Sequence, residues 1–321
     1  MKQAVILGFL GQTRDRFSSY HEPATTEERM DLAGQLTGLS GVEIVYPYDS
    51  TDPQATLNLC RKNNLEIAAV NVNIKQEAQF VPGAASRPIT EIRDEVVRYI
   101  HGSKDFAAAV GAPHVSCCPL SDGYDYLFQV DYREAWRNMV DVFGRAAAYR
   151  PEIPLFLEPK PSETRVHCHL DTTATTLLLL KDIGLPEMGV TLDFGHSLYA
   201  GENPARSLVA IVDAGFEPYI HTNDNDQRFD WDLIAGSRHL LHYAEFLFYA
   251  REIGYSRFFT TDASPRTLER LPFFERHLAL SRALYERIAE IDRAEWFRLM
   301  REERTLALFD RVQREVYGFR A

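Results

Sequence analysis

Cysteine is scarce in this sequence, with 4 residues in a chain of 321. Structural zinc sites and disulfide frameworks both need cysteines at characteristic spacings, and the adjacent pair Cys117 and Cys118 fits neither. The composition therefore argues against both kinds of site. No activating base is evident beside Cys117 and Cys118, and we interpret them as small core residues.

Long hydrophobic runs and an excess of positive charge are also missing. The apolar run at the N-terminus is too short for a signal peptide or a membrane span. With 35 Lys and Arg against 46 Asp and Glu, the formal net charge is -11, which argues against nucleic acid or an anionic membrane as a partner. We therefore predict a cytoplasmic globular protein.

A glycine-rich phosphate fingerprint is absent after the first apolar run, where Gly8 and Gly11 lack the required spacing. This absence disfavours an open, doubly wound nucleotide-binding sheet. Internal repeats, low-complexity tracts and linkers are absent as well, so nothing in the composition divides the chain.

The sequence does contain eight short apolar runs, each followed by a helix-like stretch. The runs show little alternation, which is typical of strands buried on both faces. They span residues 4–9, 41–46, 67–74, 114–118, 153–158, 189–194, 218–223 and 257–262. Strand–helix alternation repeated eight times predicts an α/β fold, a (β/α)8 TIM barrel formed by residues 1–265.

Residues 266–321 continue an apolar stripe at helical spacing beyond the eighth run. This pattern predicts a C-terminal helical extension that packs on the barrel or on a neighbouring subunit. We expect a homo-oligomer, either a homodimer or a homotetramer.

Polar side chains gather at the ends of the last four predicted strands, where barrel enzymes place their active groups. Strand five ends at Glu158 and Lys160, which alternation turns to the same side of the strand. The following strands and their loops contribute Asp193, His196, His221, Asn223, Asp230, Asp232 and Asp262. Singly, each could be a helix cap, a core histidine, a solvated turn or a strand-end salt bridge, but their occurrence on consecutive strand ends favours a functional site.

The residue types indicate a metal centre. A set of three carboxylates and one imidazole suits Mn²⁺, Mg²⁺ or Co²⁺ better than it suits a structural zinc ion, which prefers sulfur and nitrogen ligands. The first predicted cation site is Glu158, Asp193, His221 and Asp262. A second would use His196, Asp230 and Asp232, with Asp193 shared between the two.

The stretch from Glu158 to Pro161, followed by Glu163, resembles the Glu-Pro-Lys-Pro signature of xylose isomerases. The resemblance continues through Asp193 and His196, the Ala200–Gly201 pair, the run from Asp230 to Leu233, and Asp262. It covers the whole barrel in order and indicates the xylose isomerase-like superfamily, which also includes rhamnose isomerase, ketose 3-epimerases and the endonuclease IV group.

Three departures from xylose isomerase itself are visible. Asp193 stands where that enzyme has a glutamate, and His221 makes the ligand set more similar to that of rhamnose isomerase. The second strand and the residues after it, 44–49, lack the histidine that xylose isomerase places near the sugar. Ketose 3-epimerases end the eighth strand with a glutamate, whereas this chain has Asp262.

The resemblance implies an aldose–ketose isomerase that acts by a 1,2-hydride shift on a small-molecule carbohydrate, with one or two divalent cations, Mn²⁺ first, per subunit. It implies catalytic roles for Lys160, Glu158, Asp230 and Asp262, with Lys160 donating to the carbonyl oxygen. Substrate contacts are expected from His196, Asn223 and Arg228. The alternatives are an epimerase or lyase that uses Glu158 or Asp262 as base, and a non-catalytic scaffold barrel.

Overall fold

The computed structural model describes residues 1–319 and contains a closed barrel of eight parallel strands. We number these strands β1 to β8: Lys2–Ile6, Gly41–Tyr46, Glu66–Val72, Val115–Cys117, Leu155–Leu157, Met188–Asp193, Glu217–Thr222 and Phe258–Thr261. Each strand pairs with its neighbours in the chain, and β1 closes the barrel by pairing with both β2 and β8. The predicted (β/α)8 barrel is confirmed, and every predicted run contains or overlaps one strand.

The outer layer is formed by α1 to α5, Thr26–Ala33, Pro53–Asn63, Thr90–Val110, Tyr132–Ala148 and Thr173–Ile183, and by α7 to α9, Pro204–Asp213, Leu240–Glu252 and Arg270–Ala289. The short helix α6, Phe194–Tyr199, follows β6 and is buried at the barrel mouth. Local sequence explains several of their ends. Asp52 accepts a hydrogen bond from the Ala55 amide and is followed by proline at the first helical position of α2. Gly184 ends α5 with φ 71, in the left-handed region that glycine adopts without strain.

The barrel interior beneath the C-terminal strand ends is packed with aromatic and small side chains. Ala4, Ala68, Ala69, Phe156, Tyr219 and Phe258 form a separate buried cluster. Tyr219 lies two residues before His221 on β7, so both side chains point to the same side of that strand. This layer forms a floor under the polar groups at the barrel mouth.

The C-terminal part begins with α9, which belongs to the barrel layer. His277 on α9 lies 3.1 Å from the Thr222 hydroxyl at the end of β7, and Gln3 on β1 donates to the Leu278 carbonyl at 3.1 Å. The predicted boundary at 265/266 therefore falls before the helix that completes the eighth strand–helix unit. The sequence did not reveal this because the apolar stripe continues without a break.

Beyond the barrel lie α10, Arg293–Arg301, α11, Thr305–Arg311, and a π-helical turn, Val312–Val316. The Trp296 ring packs on Phe248 of α8, with ring centroids 5.6 Å apart, and Arg287 donates to the Glu315 carbonyl at 2.7 Å. The extension thus packs on the outer helices of its own barrel, and the homo-oligomer stays a prediction. Among residues 1–319, no helix combines the length and apolarity needed to cross a membrane.

Candidate metal centre at the barrel mouth

A cavity of about 460 Å³ opens at the C-terminal end of the barrel, where the loops that follow the strands meet. Its lining includes most of the charged residues predicted for the site: Glu158, Lys160, His196, Asp230, Asp232 and Asp262. Strand pairing sets their relative heights, because Asp193 at the end of β6 is level with His221 on β7. The barrel therefore brings residues that are far apart in sequence to one mouth.

Glu158, Asp193, His221 and Asp262 form what we call the first cluster. One ligand atom from each lies within 4.8 Å of all the others. The Nδ1 atom of His221 is 3.4 Å from Glu158 Oε1 and 3.2 Å from Asp262 Oδ2. Glu158, Asp193 and His221 are buried, and Asp262 faces the cavity with 16% of its side chain exposed. The structure thus brings together all four residues predicted for the first cation site.

Two ligand atoms of the first cluster lack hydrogen-bond partners. Glu158 Oε1 and His221 Nδ1 are buried, and neither makes a well-aligned hydrogen bond within residues 1–319, although His196 Nδ1 lies 3.2 Å from Glu158 Oε1. Leaving a buried polar atom without a partner costs about 1–3 kcal/mol, and more for a charged group. Three carboxylates and an imidazole with unpartnered atoms aimed at a common point fit a divalent cation.

The orientation of His221 is fixed from behind by Glu43 on β2. His221 Nε2 lies 3.0 Å from Glu43 Oε2, so Glu43 can hold the proton on Nε2 and leave Nδ1 for a metal. Asn71 donates to Glu43 at 2.9 Å and the Tyr219 hydroxyl donates to it at 2.7 Å. Sequence reasoning missed this residue, although a glutamate inside an apolar strand was the signal that could have identified it.

Asp193 is held by two donors. The backbone amide of His196 donates to Asp193 Oδ1 at 2.7 Å, and this hydrogen bond caps the N-terminus of α6. The side-chain amide of Asn223 donates to Asp193 Oδ2 at 2.7 Å. Asn223 is fully buried and does not line the cavity. The structure therefore places Asn223, just after β7, against Asp193 and away from the cavity lining.

Crowding of acids in a buried place changes their protonation. Burial raises the pKa of Asp193 to about 7, and the charges of Asp262 and Glu158 add to that effect. Burial acts in the same direction on Glu158, but the neighbouring imidazoles of His221 and His196 outweigh it and lower the Glu158 pKa below its ordinary value. A divalent cation would relieve this repulsion and favour the ionised form of every carboxylate in the cluster.

Lys160, His196, Asp230 and Asp232 form a second cluster. The Lys160 ammonium lies 2.9 Å from Asp230 Oδ2 and 2.7 Å from Glu163 Oε2. His196 Nε2 lies 3.1 Å from the same Asp230 oxygen. Lys160 thus pairs with Asp230 and Glu163, and the salt bridge with Glu158 considered from the sequence does not form among the described residues.

The protein's own cations therefore occupy part of the predicted second metal site. Among residues 1–319, the set Asp193, His196, Asp230 and Asp232 does not converge as four ligand atoms, whereas Cys118, Glu158 and His196 do converge. Burial opposes the charge on Lys160, but Asp230 and Glu163 raise its pKa well above the ordinary value. The Lys160 ammonium is consequently a fixed positive charge at the mouth.

Two other predicted residues have clear placements. Arg228 is exposed on the loop after β7 and is not part of the cavity lining, so the structure does not bring it to the site. Cys118 lies against the first cluster, where its thiol donates to the Glu158 carbonyl at 3.5 Å. Burial raises the pKa of the Cys118 thiol well above its ordinary value, which keeps it protonated at neutral pH.

Strands five to eight of this (β/α)8 barrel bring three carboxylates and an imidazole to one point, which defines a barrel with a candidate oxygen-rich cation site. The sequence narrows this class. Residues 31–281 match the family described as xylose isomerase-like TIM barrel, and the chain belongs to that family.

Sequence relatives include xylose isomerases at low identity. The xylose isomerase of Cereibacter sphaeroides is 23% identical over 246 residues, which cover 70% of this chain and 57% of that protein. The xylose isomerase of Roseobacter denitrificans is 26% identical over 165 residues, which cover 50% of this chain and 38% of that protein. The matched parts thus span between 38% and 57% of the length of these two relatives.

Solved structures with the same fold include two epimerases or epimerase-like proteins. A D-tagatose 3-epimerase-like protein superposes with a TM-score of 0.70 at 18% identity, covering 89% of this chain and 98% of that one. The 3-keto-D-glucoside 4-epimerase from E. coli gives a TM-score of 0.69 at 16% identity, covering 88% and 100%. At such identity these matches show the shared fold.

Proposed function

We propose that this chain is a divalent-metal-dependent sugar isomerase or epimerase, and that its reaction is aldose–ketose isomerisation by a 1,2-hydride shift. The observation that carries the proposal is the convergence of the four first-cluster ligand atoms within 4.8 Å, beside a cavity that Lys160 also lines. The family and the named activities of its relatives support the same class of reaction.

Glu158, Asp193, His221 and Asp262 would hold the cation. Mn²⁺, Mg²⁺ and Co²⁺ suit this donor set of mostly carboxylate oxygens. A bound cation supplies Lewis acidity toward two oxygens of an open-chain sugar. Asn223 and Glu43 keep Asp193 and His221 in place for that task.

The remaining chemistry belongs to the second cluster. In the aldose-to-ketose direction the C2–H bond breaks and its hydride forms a new bond at C1, while the proton leaves O2 and is delivered to O1. No external oxidant or reductant is needed. Lys160, buried with its ammonium at the cavity, donates to the oxygen on which negative charge develops. Asp230 and Asp232 line the same wall and relay the proton between the two oxygens.

Epimerisation is the second candidate, and two observations favour it. Only the first of the two predicted cation sets converges among the described residues, and the solved structures of similar fold include epimerases. In that reaction Glu158 or Asp262 removes a proton from a carbon next to the carbonyl and an enediolate forms. Return of a proton to the opposite face inverts the carbon.

Turnover in D₂O distinguishes the two reactions. The Mn²⁺-loaded protein is incubated with a panel of aldoses and ketoses, and the products are followed by NMR. A hydride shift gives interconverted aldose and ketose without deuterium at C1 or C2, whereas epimerisation through an enediolate incorporates solvent deuterium at the inverted carbon. Absence of any interconversion with Mn²⁺, Mg²⁺ and Co²⁺ would contradict both reactions.

A further inference from the structure

The charged residues that line the mouth cavity are divided between two walls. All the acids, Glu158, Asp230, Asp232 and Asp262, come from strands β5 to β8 and their loops. The wall built by β1 to β4 contributes two charged residues to the lining, Arg14 and Lys75, and both are cationic. The cavity therefore has an acidic, metal-binding side and a basic side.

Neither cation of the basic wall has a carboxylate partner. Within residues 1–319, Arg14 donates only to the amide oxygen of Gln12, at 3.1 and 2.9 Å. No carboxylate within residues 1–319 lies within 4.0 Å of the charged nitrogens of Arg14 or the ammonium of Lys75. Other arginines near the mouth are paired, as Arg165 is with Asp125 at 2.6 Å.

Arg14 and Lys75 line the cavity from short segments whose backbone is hydrogen-bonded. Arg14 lies in a two-residue strand, Thr13–Arg14, that pairs with Ser19–Tyr20 after β1. Lys75 follows β3, where Asn73 Oδ1 accepts hydrogen bonds from the backbone amides of Lys75, at 3.1 Å, and of Gln76. Two cations on one cavity wall that have no carboxylate partner among residues 1–319 form a site for an anionic group, since guanidinium and ammonium groups bind carboxylate and phosphate most strongly.

Resting on the proposed function, we propose that the substrate is a sugar with a terminal anionic group, a carboxylate or a phosphate, that is bound by Lys75 and Arg14. Its hydroxyl and carbonyl oxygens then face the first cluster across the cavity. A volume of about 460 Å³ accommodates one such molecule. The chain carries a net charge of -11, which repels anions in general. A local pair of cations would therefore be needed to attract an anion to this cavity.

Binding of a matched ligand series tests this assignment. Calorimetric titration of the Mn²⁺-loaded protein uses D-glucitol, D-gluconate and D-glucitol 6-phosphate, together with the corresponding galactitol series. These compounds differ at one terminal carbon and do not react. At least one anion should bind about tenfold or more tightly than its neutral alditol. Tighter binding of the carboxylate ligand indicates a carboxylate site, and tighter binding of the phosphate ligand indicates a phosphate site.

Variants identify the cause of the preference. Lys75→Gln combined with Arg14→Gln should remove it and leave neutral alditol binding and metal content unchanged. Lys181→Gln, a matched change on the exposed end of α5, should preserve it. Equal binding of anions and alditols, or a preference that survives in the double variant because the anion binds the metal directly, would overturn the proposal. Turnover of neutral sugars in D₂O would still support the proposed function in that case.

Discussion

Two acid-rich clusters lie at one barrel mouth, but their carboxylate charges are paired differently. In the first cluster, Glu158 Oε1 and His221 Nδ1 are buried without hydrogen-bond partners. In the second, Asp230 is already neutralised by Lys160 at 2.9 Å and by His196 at 3.1 Å. His196 Nδ1 and Asp230 Oδ1 of the second cluster also lack hydrogen-bond partners among residues 1–319, but the ligand atoms predicted there do not converge. The contrast teaches that a cluster of carboxylates indicates a cation site where its ligand atoms converge and no cation of the protein lies among them.

The difference arises in the residues behind each cluster. Glu43 on β2 and Asn223 just after β7 hold His221 and Asp193 from the side away from the cavity, so their remaining atoms face one another. Asp230 instead contacts the ammonium of Lys160, which follows β5, and the imidazole of His196. We therefore expect one tight cation in the first cluster, with the Lys160 ammonium supplying the positive charge of the second.

The largest effect should come from removing a ligand of the first cluster. Glu158→Gln replaces a charged ligand by a neutral one of the same shape. We expect loss of tightly held Mn²⁺ and a fall in turnover of more than about a hundredfold. Metal analysis and steady-state kinetics measure both.

The matched control is Glu163→Gln, which neutralises an acid that contacts Lys160 outside the first cluster. This variant should keep its Mn²⁺. Retention of wild-type metal content in Glu158→Gln would break the distinction between the two clusters.

Lys160→Met tests the second cluster. Loss of a donor to the developing oxyanion should lower kcat by roughly 10²–10³-fold. The first cluster should retain its Mn²⁺, because Lys160 is not one of its ligands. A second, weaker Mn²⁺ should bind once Asp230 loses its ammonium partner, and titration calorimetry detects it. Unchanged kcat would remove Lys160 from the mechanism.

Glu43→Gln probes the residue behind His221. The substitution removes the charge that holds the imidazole proton on Nε2, so we expect Mn²⁺ affinity to weaken about 10–100-fold. Glu66→Gln, on an exposed surface pair with Lys2, is the control and should bind Mn²⁺ as the wild type does. Equal affinities in the two variants would show that Glu43 has no part in metal binding.

A smaller effect, on the pH dependence of stability, should come from His277 on α9. Burial lowers the pKa of His277 to about 3 in the folded protein. Because the folded pKa of this base is depressed, the unfolded chain binds the extra proton as pH falls below about 6.5, and stability decreases. From pH 7.5 to pH 5, His277 should account for a loss of about 2 kcal/mol.

Urea unfolding of wild type and His277→Gln at the two pH values measures this loss. The variant should lose about 2 kcal/mol less than wild type over that interval. NMR of the wild-type imidazole at pH 5 should show it neutral, whether or not the variant folds. A protonated His277 at pH 5 would contradict the assignment.

Strand positions and the first cluster could be predicted because both depend on local patterns. Apolar runs fix the strands, and the geometry of a parallel barrel brings their C-terminal ends together whatever the loops do. Glu158, Asp193, His221 and Asp262 each lie at such an end. Their meeting within 4.8 Å follows from strand order.

What the sequence did not reveal depends on pairing between distant side chains. Alternation turned Lys160 toward Glu158, but the loop after β7 carries Asp230 close enough to bind it instead. Glu43 contacts His221 across the barrel interior, 178 residues away in sequence. Arg228 lies on the same loop as Asp230 yet is exposed. The conformation of the loop, and not a residue's distance from the strand end, decides which side chains reach the cavity.

Counting the Mn²⁺ ions that stay bound tests the central claim most directly. The protein is loaded with excess Mn²⁺, freed of loosely held metal by gel filtration and analysed for Mn²⁺ per chain. One equivalent is the expected result, since the ligand atoms of the first cluster converge within 4.8 Å, whereas Asp230 of the second cluster is already paired with Lys160 and His196. Two tightly held equivalents, or none, would contradict it.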